Sequence, residues 1–337
     1  MEDFNVMKPI LNRRGFLQAS GLAVASASIG NIMPSMAQGS AVRWAALAPG
    51  FTVLVTEYIR HHELDRANGF SLGSPTEYTS VPTYYSDFDV GNYDVCIGSW
   101  DSFAVRYLGG VPCKYLCTIT TAQMINFLTI EGSGVDGVSD LVGKVVVAPQ
   151  STGTYRLART VVKEFDGIDL EGEASVQNVV NPAASVSVLR AGSADAGLTW
   201  EPNVTNGMSE DARLRVLYNV GERYTEATGH TLPYFGVAVR NELLERDPEI
   251  GARISKTFAD CIAGILGDVE GAVKIVGERT GFPPAVLQEA IDSGRLSFAY
   301  SSMAEEAERQ VVLSAAEFCA RNELLPSVPD EGFFYTG

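Results

Sequence analysis

Short apolar runs alternate with longer helical stretches along most of this chain, and that alternation restricts its fold more than any other feature. Residues 93–99 (YDVCIGS) and 145–149 (VVVAP) have the length and apolar content of buried strands, and each is followed by a predicted helix. Strands that alternate with helices form α/β domains with largely parallel sheets. The pattern predicts an α/β fold that becomes mostly helical over residues 242–278, 282–293 and 302–322.

The turns between predicted strands and helices carry the residues best suited to binding a ligand. In α/β sheets, ligands bind at the carboxyl ends of the strands, where these turns meet. Small polar, amide, acidic and aromatic side chains occupy these positions. The candidate ligand-binding residues are Phe51, Ser99, Trp100, Asp101, Gln150, Ser151, Thr152, Thr154, Tyr155, Asn181, Trp200 and Glu201.

One of these turns lies within residues 145–165, VVVAPQSTGTYRLARTVVKEF, which predict a strand, a small-residue turn and a helix. No lysine follows the turn, unlike a nucleotide phosphate loop. The start of a helix presents unpaired N–H groups and a partial positive charge. Ser151 and Thr152 add hydroxyl groups, and Gly153 allows close approach to the backbone. The turn is predicted to bind a sulfonate, a carboxylate or a ring oxygen, unless Ser151 or Thr152 only caps the helix.

Aromatic and acidic residues end other predicted strands. Trp100 and Trp200 are placed to hold a flat or apolar part of a ligand, or else they pack as core. Glu201 and Asp101 are suited to binding an amine, or else they are a solvated loop acid and a helix cap. No Arg or Lys lies at the strand ends, and Arg156, one turn into its helix, is free to point away. These features disfavour nitrate and favour a polar organic ligand with a donor group: an amino-sulfonate, another amine or an aminopyrimidine.

The N-terminal segment, residues 1–37, predicts export. The pair Arg13 and Arg14 precedes a weakly apolar run at 21–33 that is too short to span a bilayer, and small residues allow cleavage after Ala37. The paired arginines resemble a twin-arginine signal; an ordinary signal peptide or a basic tail is the alternative. The expected location is the periplasm.

Charge and hydropathy argue against two classes of partner. The chain has a net charge of −16 at pH 7, and such an acidic protein repels phosphate backbones. We therefore expect no nucleic-acid partner. Beyond the N-terminal segment the sequence has no apolar stretch of about 18 residues or more, so no membrane insertion is expected.

Neither cysteine nor histidine forms a recognisable catalytic or metal motif. The five cysteines are an odd number, and Cys113 and Cys117 lie four positions apart on a predicted strand, about 13 Å and too far for a disulfide. Buried structural thiols are expected. His61 and His62 are adjacent on a predicted helix and do not match the His-Glu-x-x-His zinc pattern. No nucleophile elbow or dinucleotide motif is present, so we predict no enzymatic activity, metal or cofactor.

Four segments, taken in order, resemble the periplasmic solute-binding proteins of ABC importers. Residues 91–116 are similar to their first lobe, and 139–158 (SDLVGKVVVAPQSTGTYRLA) to the opening of their second lobe. Residues 189–202 (LRAGSADAGLTWEP) resemble the returning strand of that lobe, and 279–291 (RTGFPPAVLQEAI) the late helical region. The match covers nearly all of 41–325, and its nearest branch is the nitrate/sulfonate/taurine and thiamine-pyrimidine-precursor group.

The resemblance implies a type II periplasmic-binding-protein fold, in which two mixed sheets flanked by helices form two lobes joined by two crossing strands. The crossings are expected near 129–132 and 235–239. Lobe 1 would then comprise 41–130 plus 237–337, and lobe 2 would comprise 131–236.

The resemblance also implies a function. A monomer without a cofactor would capture a small polar ligand between its lobes and deliver it to the transmembrane subunits of an ABC permease. The alternative on the same fold is an enzyme similar to thiamine-pyrimidine synthases. That enzyme would require a lysine for a pyridoxal cofactor and a cysteine-rich metal stretch.

Overall fold

Two mixed β-sheets organise residues 41–337, the part of the chain that the computed structural model describes. The predicted export signal at 1–37 lies outside these residues. Numbered in chain order, the strands are β1 (Trp44–Leu47), β2 (Thr76–Tyr78), β3 (Val95–Ser99), β4 (Cys113–Thr120), β5 (Ile125–Ile130), β6 (Val145–Ala148), β7 (Ser175–Asn178), β8 (Ala196–Trp200), β9 (Leu214–Asn219), β10 (Phe235–Arg240) and β11 (Phe298–Ser302).

Each of the two sheets contains both parallel and antiparallel strand pairs. The first has six strands in the order β11-β4-β10-β3-β1-β2, with β1 parallel to β2 and β3, and β10 antiparallel to β3 and β4. The second has five strands in the order β7-β6-β8-β5-β9, with β6 parallel to β7 and β8, and β5 antiparallel to β8 and β9. This arrangement confirms the predicted α/β fold with two mixed sheets. The expectation of largely parallel sheets is wrong, because five of the nine strand pairings within residues 41–337 are antiparallel.

Helices cover both sheets. They are α1 (Phe51–His61), α2 (Leu64–Ala67), α3 (Val81–Asp89), α4 (Trp100–Leu108), α5 (Gly153–Asp166), α6 (Leu170–Glu173), α7 (Pro182–Arg190), α8 (Asn203–Glu210), α9 (Val220–Thr228), α10 (Asn241–Arg246), α11 (Ile250–Gly267), α12 (Val269–Val276), α13 (Pro284–Asp292) and α14 (Glu306–Arg321). Short 3₁₀ turns lie at Ala122–Met124, Val138–Leu141, Gly277–Thr280 and Glu331–Phe333. We call the first sheet with α1–α4 and α10–α13 the first half, and the second sheet with α5–α9 the second half.

The chain passes between the halves at two neighbouring places, residues 121–124 and 229–234. The passages are hydrogen-bonded to each other: the Ala122 amide donates to the Leu232 carbonyl at 2.9 Å, and the Tyr234 amide donates to the Thr120 carbonyl at 3.0 Å. A side chain on Gly221 of α9 would collide with the backbone of Gln123. That close packing fixes the first passage against the second half.

Both passages between the halves occur earlier in the chain than predicted. Strand β5 pairs with β8 and β9 of the second sheet, so the first passage precedes 129–132. Strand β10 pairs with β3 and β4 of the first sheet, so the second passage precedes 235–239. The first-lobe range 41–130 therefore included a strand of the second sheet. Apolar runs identify strands, but sheet membership depends on partners distant in sequence.

Helix α14 contacts the second half, although it follows β11 of the first sheet. The Phe318 ring stacks on Phe165 of α5, with ring centres 5.6 Å apart, and meets the Tyr224 ring of α9 edge-on at 5.2 Å. The chain then returns to the first sheet, where Phe333 stacks on Tyr115 at 5.6 Å. The range 237–337, expected in the first lobe, therefore includes a helix packed on the other half.

Other expectations concern the buried interior and the surface. All five cysteines are buried free thiols, as expected. Among residues 41–337, no helix combines the length and apolar character needed to cross a bilayer. In the same residues, no three or more His, Cys, Asp or Glu side chains are grouped to hold a metal.

Candidate functional site

The candidate site lies where the first turns of α4 and α5 meet, because each helix follows the carboxyl end of a central strand in its own half. Helix α5 begins at Gly153, and Thr152 caps it: the Thr152 hydroxyl accepts from the Tyr155 amide at 3.2 Å and donates to the Pro149 carbonyl at 2.8 Å. Within residues 41–337, the Gly153 and Thr154 amides have no acceptor. The start of α5 therefore presents two free N–H donors beside the other half.

Opposite charges from the two halves converge over Gly153. A side-chain carbon built on Gly153 would lie 2.8 Å from Asp101 Oδ2 and 3.6 Å from Arg156 Nη2. Glycine is required here because that space is occupied by the carboxylate of α4. Burial raises the pKa of Asp101, and the positive charge of Arg156 opposes that rise.

Arg156 is the cation that the sequence analysis did not assign to the site. It lies three positions after Gly153, and residues so spaced share one face of a helix, so its guanidinium reaches back toward the helix start. Among residues 41–337 its guanidinium has no partner within ion-pair or hydrogen-bond distance, although its charge acts on the nearby Asp101 carboxyl. By contrast, Arg159, a turn further along, is paired with Glu171. The three-residue spacing between Gly153 and Arg156 could have predicted that this arginine lies at the site.

A cluster of aromatic side chains is linked to the start of α5 through Tyr234. The ring of Phe51 lies 5.1 Å from that of Phe235 and 5.9 Å from that of Phe298. Tyr234 packs against Phe235 at 4.9 Å, and its hydroxyl contacts the Thr154 hydroxyl of the other half. Burial raises the pKa of Tyr234, so at neutral pH it is a neutral donor or acceptor. Tyr234 lies in a passage between the sheets, and no pattern in the sequence predicted that it belongs to the site.

Ser99, Asp101, Thr152 and Thr154 therefore lie where the first turns of α4 and α5 meet, and Phe51 belongs to the aromatic cluster that Tyr234 links to Thr154. Trp200 is partly exposed at the end of β8, and Ser151 is exposed just before α5. Their surfaces are open to solvent.

Other predicted residues have structural partners instead. Trp100 is fully buried, and its indole N–H donates to the Pro233 carbonyl at 2.8 Å. The Tyr155 hydroxyl faces Glu171 of α6 at 3.4 Å. The Asn181 side chain caps α7 by accepting from the Ala184 N–H at 2.9 Å, and the backbone N–H of Gln150 donates to Asn178 Oδ1 at 3.0 Å.

Glu201 has no exposed surface and is fully engaged inside the protein. Its carboxylate accepts from the Thr205 amide at 3.1 Å, the Thr205 hydroxyl at 2.9 Å and Arg295 Nε at 2.9 Å. Burial raises its pKa, and the contacts from Thr205 and Arg295 oppose that rise. The sequence suggested that Glu201 binds an amine. The structure contradicts that role, because both carboxylate oxygens already accept hydrogen bonds inside the protein.

The family model described as "NMT1/THI5 like" matches residues 75–250, just over half of the chain. The chain belongs to the NMT1/THI5-like family. No curated protein matches the sequence. The matched region of this NMT1/THI5-like protein includes Asp101, Gly153 and Arg156, together with the whole second sheet. The two helices that bring charge to the site, α4 and α5, therefore lie inside the matched region.

Solved structures confirm the periplasmic-binding-protein fold of this NMT1/THI5-like protein. The periplasmic aliphatic sulphonate binding protein SsuA from Escherichia coli superposes with a TM-score of 0.70 at 18% identity, over 88% of this chain and 92% of that one. The alkanesulfonate-binding SsuA from Xanthomonas axonopodis pv. citri, bound to MOPS, gives 0.68 at 17% identity, over 87% and 96%. The desulfurization enzyme DSZB gives 0.59 at 13% identity, over 87% and 96%.

Proposed function

We propose that this protein is the extracytoplasmic solute-binding component of an ABC importer and that its ligand is a small zwitterion, with an aminosulfonate as the best fit. The family and the fold support the solute-binding role. The location in the periplasm, reached through the predicted signal at 1–37, and delivery to a permease are parts of the same proposal.

The single observation that carries the ligand class is the unpaired Arg156 beside the free amides of Gly153 and Thr154. A guanidinium and two N–H groups together match the oxygens of a sulfonate or carboxylate. The site therefore contains a cation, Arg156, although the sequence predicted none at the strand ends.

Asp101 supplies the complementary charge. Its carboxylate lies over the same glycine, so a ligand whose anionic end contacts Arg156 places an ammonium two or three bonds away near Asp101. MOPS, which is bound in the Xanthomonas structure, also joins a sulfonate to an amine. The Phe51, Phe235 and Phe298 rings provide an apolar wall for the carbon atoms between the two ends.

Binding would couple to closure of the two halves, because the site takes Asp101 and Phe51 from one half and Gly153 and Arg156 from the other. A ligand shifts such an equilibrium only by its extra affinity for the closed state. The closed protein would then present both halves to the permease subunits.

The enzyme alternative has one observation in its favour, the fold shared with DSZB. A pyridoxal enzyme would require a lysine at the cleft, but each lysine of residues 41–337 contacts a partner elsewhere. These contacts are Lys114 with the Gly332 carbonyl, Lys144 with Asp195, Lys163 with Asp169, Lys256 with Asp260 and Lys274 with Glu270. Binding without turnover is therefore our proposal.

Titration calorimetry with taurine, MOPS and ethanesulfonate tests this function. Taurine and MOPS are expected to bind, and ethanesulfonate, which lacks the amine, is expected to bind more weakly. Arg156→Gln removes a charged donor, and such contacts contribute about 1.5–3 kcal/mol, so taurine affinity should fall between about tenfold and a hundredfold. The matched control is Arg159→Gln on the same helix, since Arg159 is paired with Glu171; it should leave affinity unchanged.

Two outcomes would contradict the proposal. Equal losses in both variants would place the anion away from Arg156. Absence of heat from all three probes, combined with turnover of taurine in a product assay, would favour the enzyme.

A further inference from the structure

Glu201 and Arg295 form an ion pair between the halves. Glu201 follows β8 of the second sheet, whereas Arg295 lies between α13 and β11 of the first half. Arg295 Nε is 2.9 Å from Glu201 Oε1, and its Nη2 donates to the Thr205 hydroxyl at 3.0 Å. One guanidinium thus contacts two residues of the opposite half.

The pair is shielded from water. The Glu201 side chain is 0% exposed and that of Arg295 is 21% exposed. A second carboxylate, Glu289 Oε1, lies 3.6 Å from Arg295 Nη2 but is largely solvated. A buried acid left without its cation is strongly unfavourable, so Glu201 and Arg295 are stable at these positions only together.

The pair lies beside the first passage between the halves. The Glu201 amide donates to the Met124 carbonyl at 3.0 Å, and the Thr121 amide donates to the Ser297 carbonyl at 3.1 Å. The Thr121 hydroxyl also donates to the Ser297 hydroxyl at 2.8 Å. The backbones of Glu201 and of Ser297, two positions after Arg295, are therefore hydrogen-bonded to the passage at 121–124.

We propose that the Glu201–Arg295 ion pair is a tie beside the hinge that limits how far the two halves separate, and that it does so without contacting solute. Two hydrogen-bonded chain passages permit rotation about their common line. A third contact at the edge of that line, made by a bidentate guanidinium, restricts the rotation because opening would expose Glu201 without its partner. The tie is a positioning device, and its effect on solute affinity rests on the proposed function.

The test measures separation of the halves without any solute. Val81 follows β2 and Val180 follows β7, at the carboxyl ends of edge strands in opposite halves, and their exposures are 43% and 87%. Spin labels on Val81→Cys and Val180→Cys report the opening by pulsed electron resonance, since the five native thiols are buried. In Arg295→Gln the distance distribution is expected to become longer and broader than in the otherwise native sequence.

Arg190→Gln is the matched control. Arg190 pairs with Glu210, and both belong to the second half, so this variant removes an ion pair without removing a contact between halves. Its distance distribution should equal that of the unsubstituted labelled protein. Arg295→Lys keeps the charge but not the two-pronged contact, and is expected to give an intermediate distribution.

Glu201→Gln and the double variant Glu201→Gln/Arg295→Gln complete the test. If the two residues act as one tie, the double variant opens no further than Arg295→Gln alone. Distributions unchanged in both Arg295→Gln and Glu201→Gln would overturn the proposal, as would fully additive opening in the double variant. Glu201→Gln keeps the acceptor for Thr205 and so remains informative if Arg295→Gln does not fold.

Solute binding gives a separate readout. Because apparent affinity follows the population of the competent state, Arg295→Gln should weaken taurine binding about tenfold if closure becomes tenfold rarer. A protein that binds none of the tested solutes would remove the proposed function while leaving the distance measurement decisive for the tie.

Discussion

Gly153 shows how one residue can determine the chemistry of the site. Its missing side chain leaves room for Asp101 Oδ2 from the other half, and Arg156 Nη2 lies over the same position. Any larger residue would displace the carboxylate and separate the two charges. The site therefore depends on a glycine at the start of α5 as much as on the charged groups themselves.

Asp101 should make stability depend on pH. A carboxyl group with a raised pKa in the folded protein binds more protons there, so its contribution to the free energy of unfolding is complete below about pH 4 and is lost as pH rises through the raised value. Asp101→Asn should therefore gain stability relative to the native protein as pH rises from about 4 to 7. Urea unfolding across this range measures the difference.

Asp211 is a control of opposite sign. The hydrogen bond from Arg213 lowers the pKa of Asp211 to about 2, so its contribution is present above about pH 4 and is lost as pH falls through the lowered value. Asp211→Asn should lose stability relative to the native protein as pH rises. A pH-independent difference for Asp101→Asn would show that burial does not control its ionisation.

At the scale of elements, α14 is attached to the second half by both apolar and polar contacts. Phe318 packs between Phe165 and Tyr224, and Arg321 and Asn322 contact Glu164. The side chain of Phe318 is buried, whereas that of Arg321 is 53% exposed. The aromatic contact should therefore dominate this attachment.

Phe318→Ala is expected to lower the free energy of unfolding by about 3–5 kcal/mol, the usual result of removing a buried aromatic ring. Glu164→Gln should change it by less than about 1 kcal/mol, because exposed ion pairs contribute little. Chemical denaturation monitored by circular dichroism measures both. A larger loss from Glu164→Gln than from Phe318→Ala would reverse this ranking.

For the whole molecule, the thiols report global opening. The five cysteines are distributed among β3, β4, α11 and α14, and all are buried. Burial raises the pKa values of Cys96 and Cys113 to about 12. Ellman's reagent at pH 8 should therefore react slowly with the native protein and release five equivalents after unfolding. Rapid reaction of even one thiol in the native protein would show a local opening in that element.

The sequence predicted the helices and strands of this molecule better than it predicted which strands pair and which side chains contact each other. Residues 145–165 form β6 and α5 as expected, since apolar period and helix caps are local signals. The placement of β5 in the second sheet depends on pairing with β8 and β9, which no local pattern records. Likewise, Arg156 could be placed by helical spacing, but the partner of Glu201 lies 94 positions away at Arg295.

Helix α14 limits the kinematics of the whole molecule. The two passages between the halves lie side by side. Helix α14 is joined to the first sheet at both ends, through β11 before it and through the contact of Phe333 with Tyr115 after it. Phe318 of the same helix packs on the second half. The segments that connect α14 to these two attachments are residues 303–305 and 322–330. If the halves rotate as proposed, α14 closes a mechanical loop between them, and the linkers on either side of it bend together with the two passages.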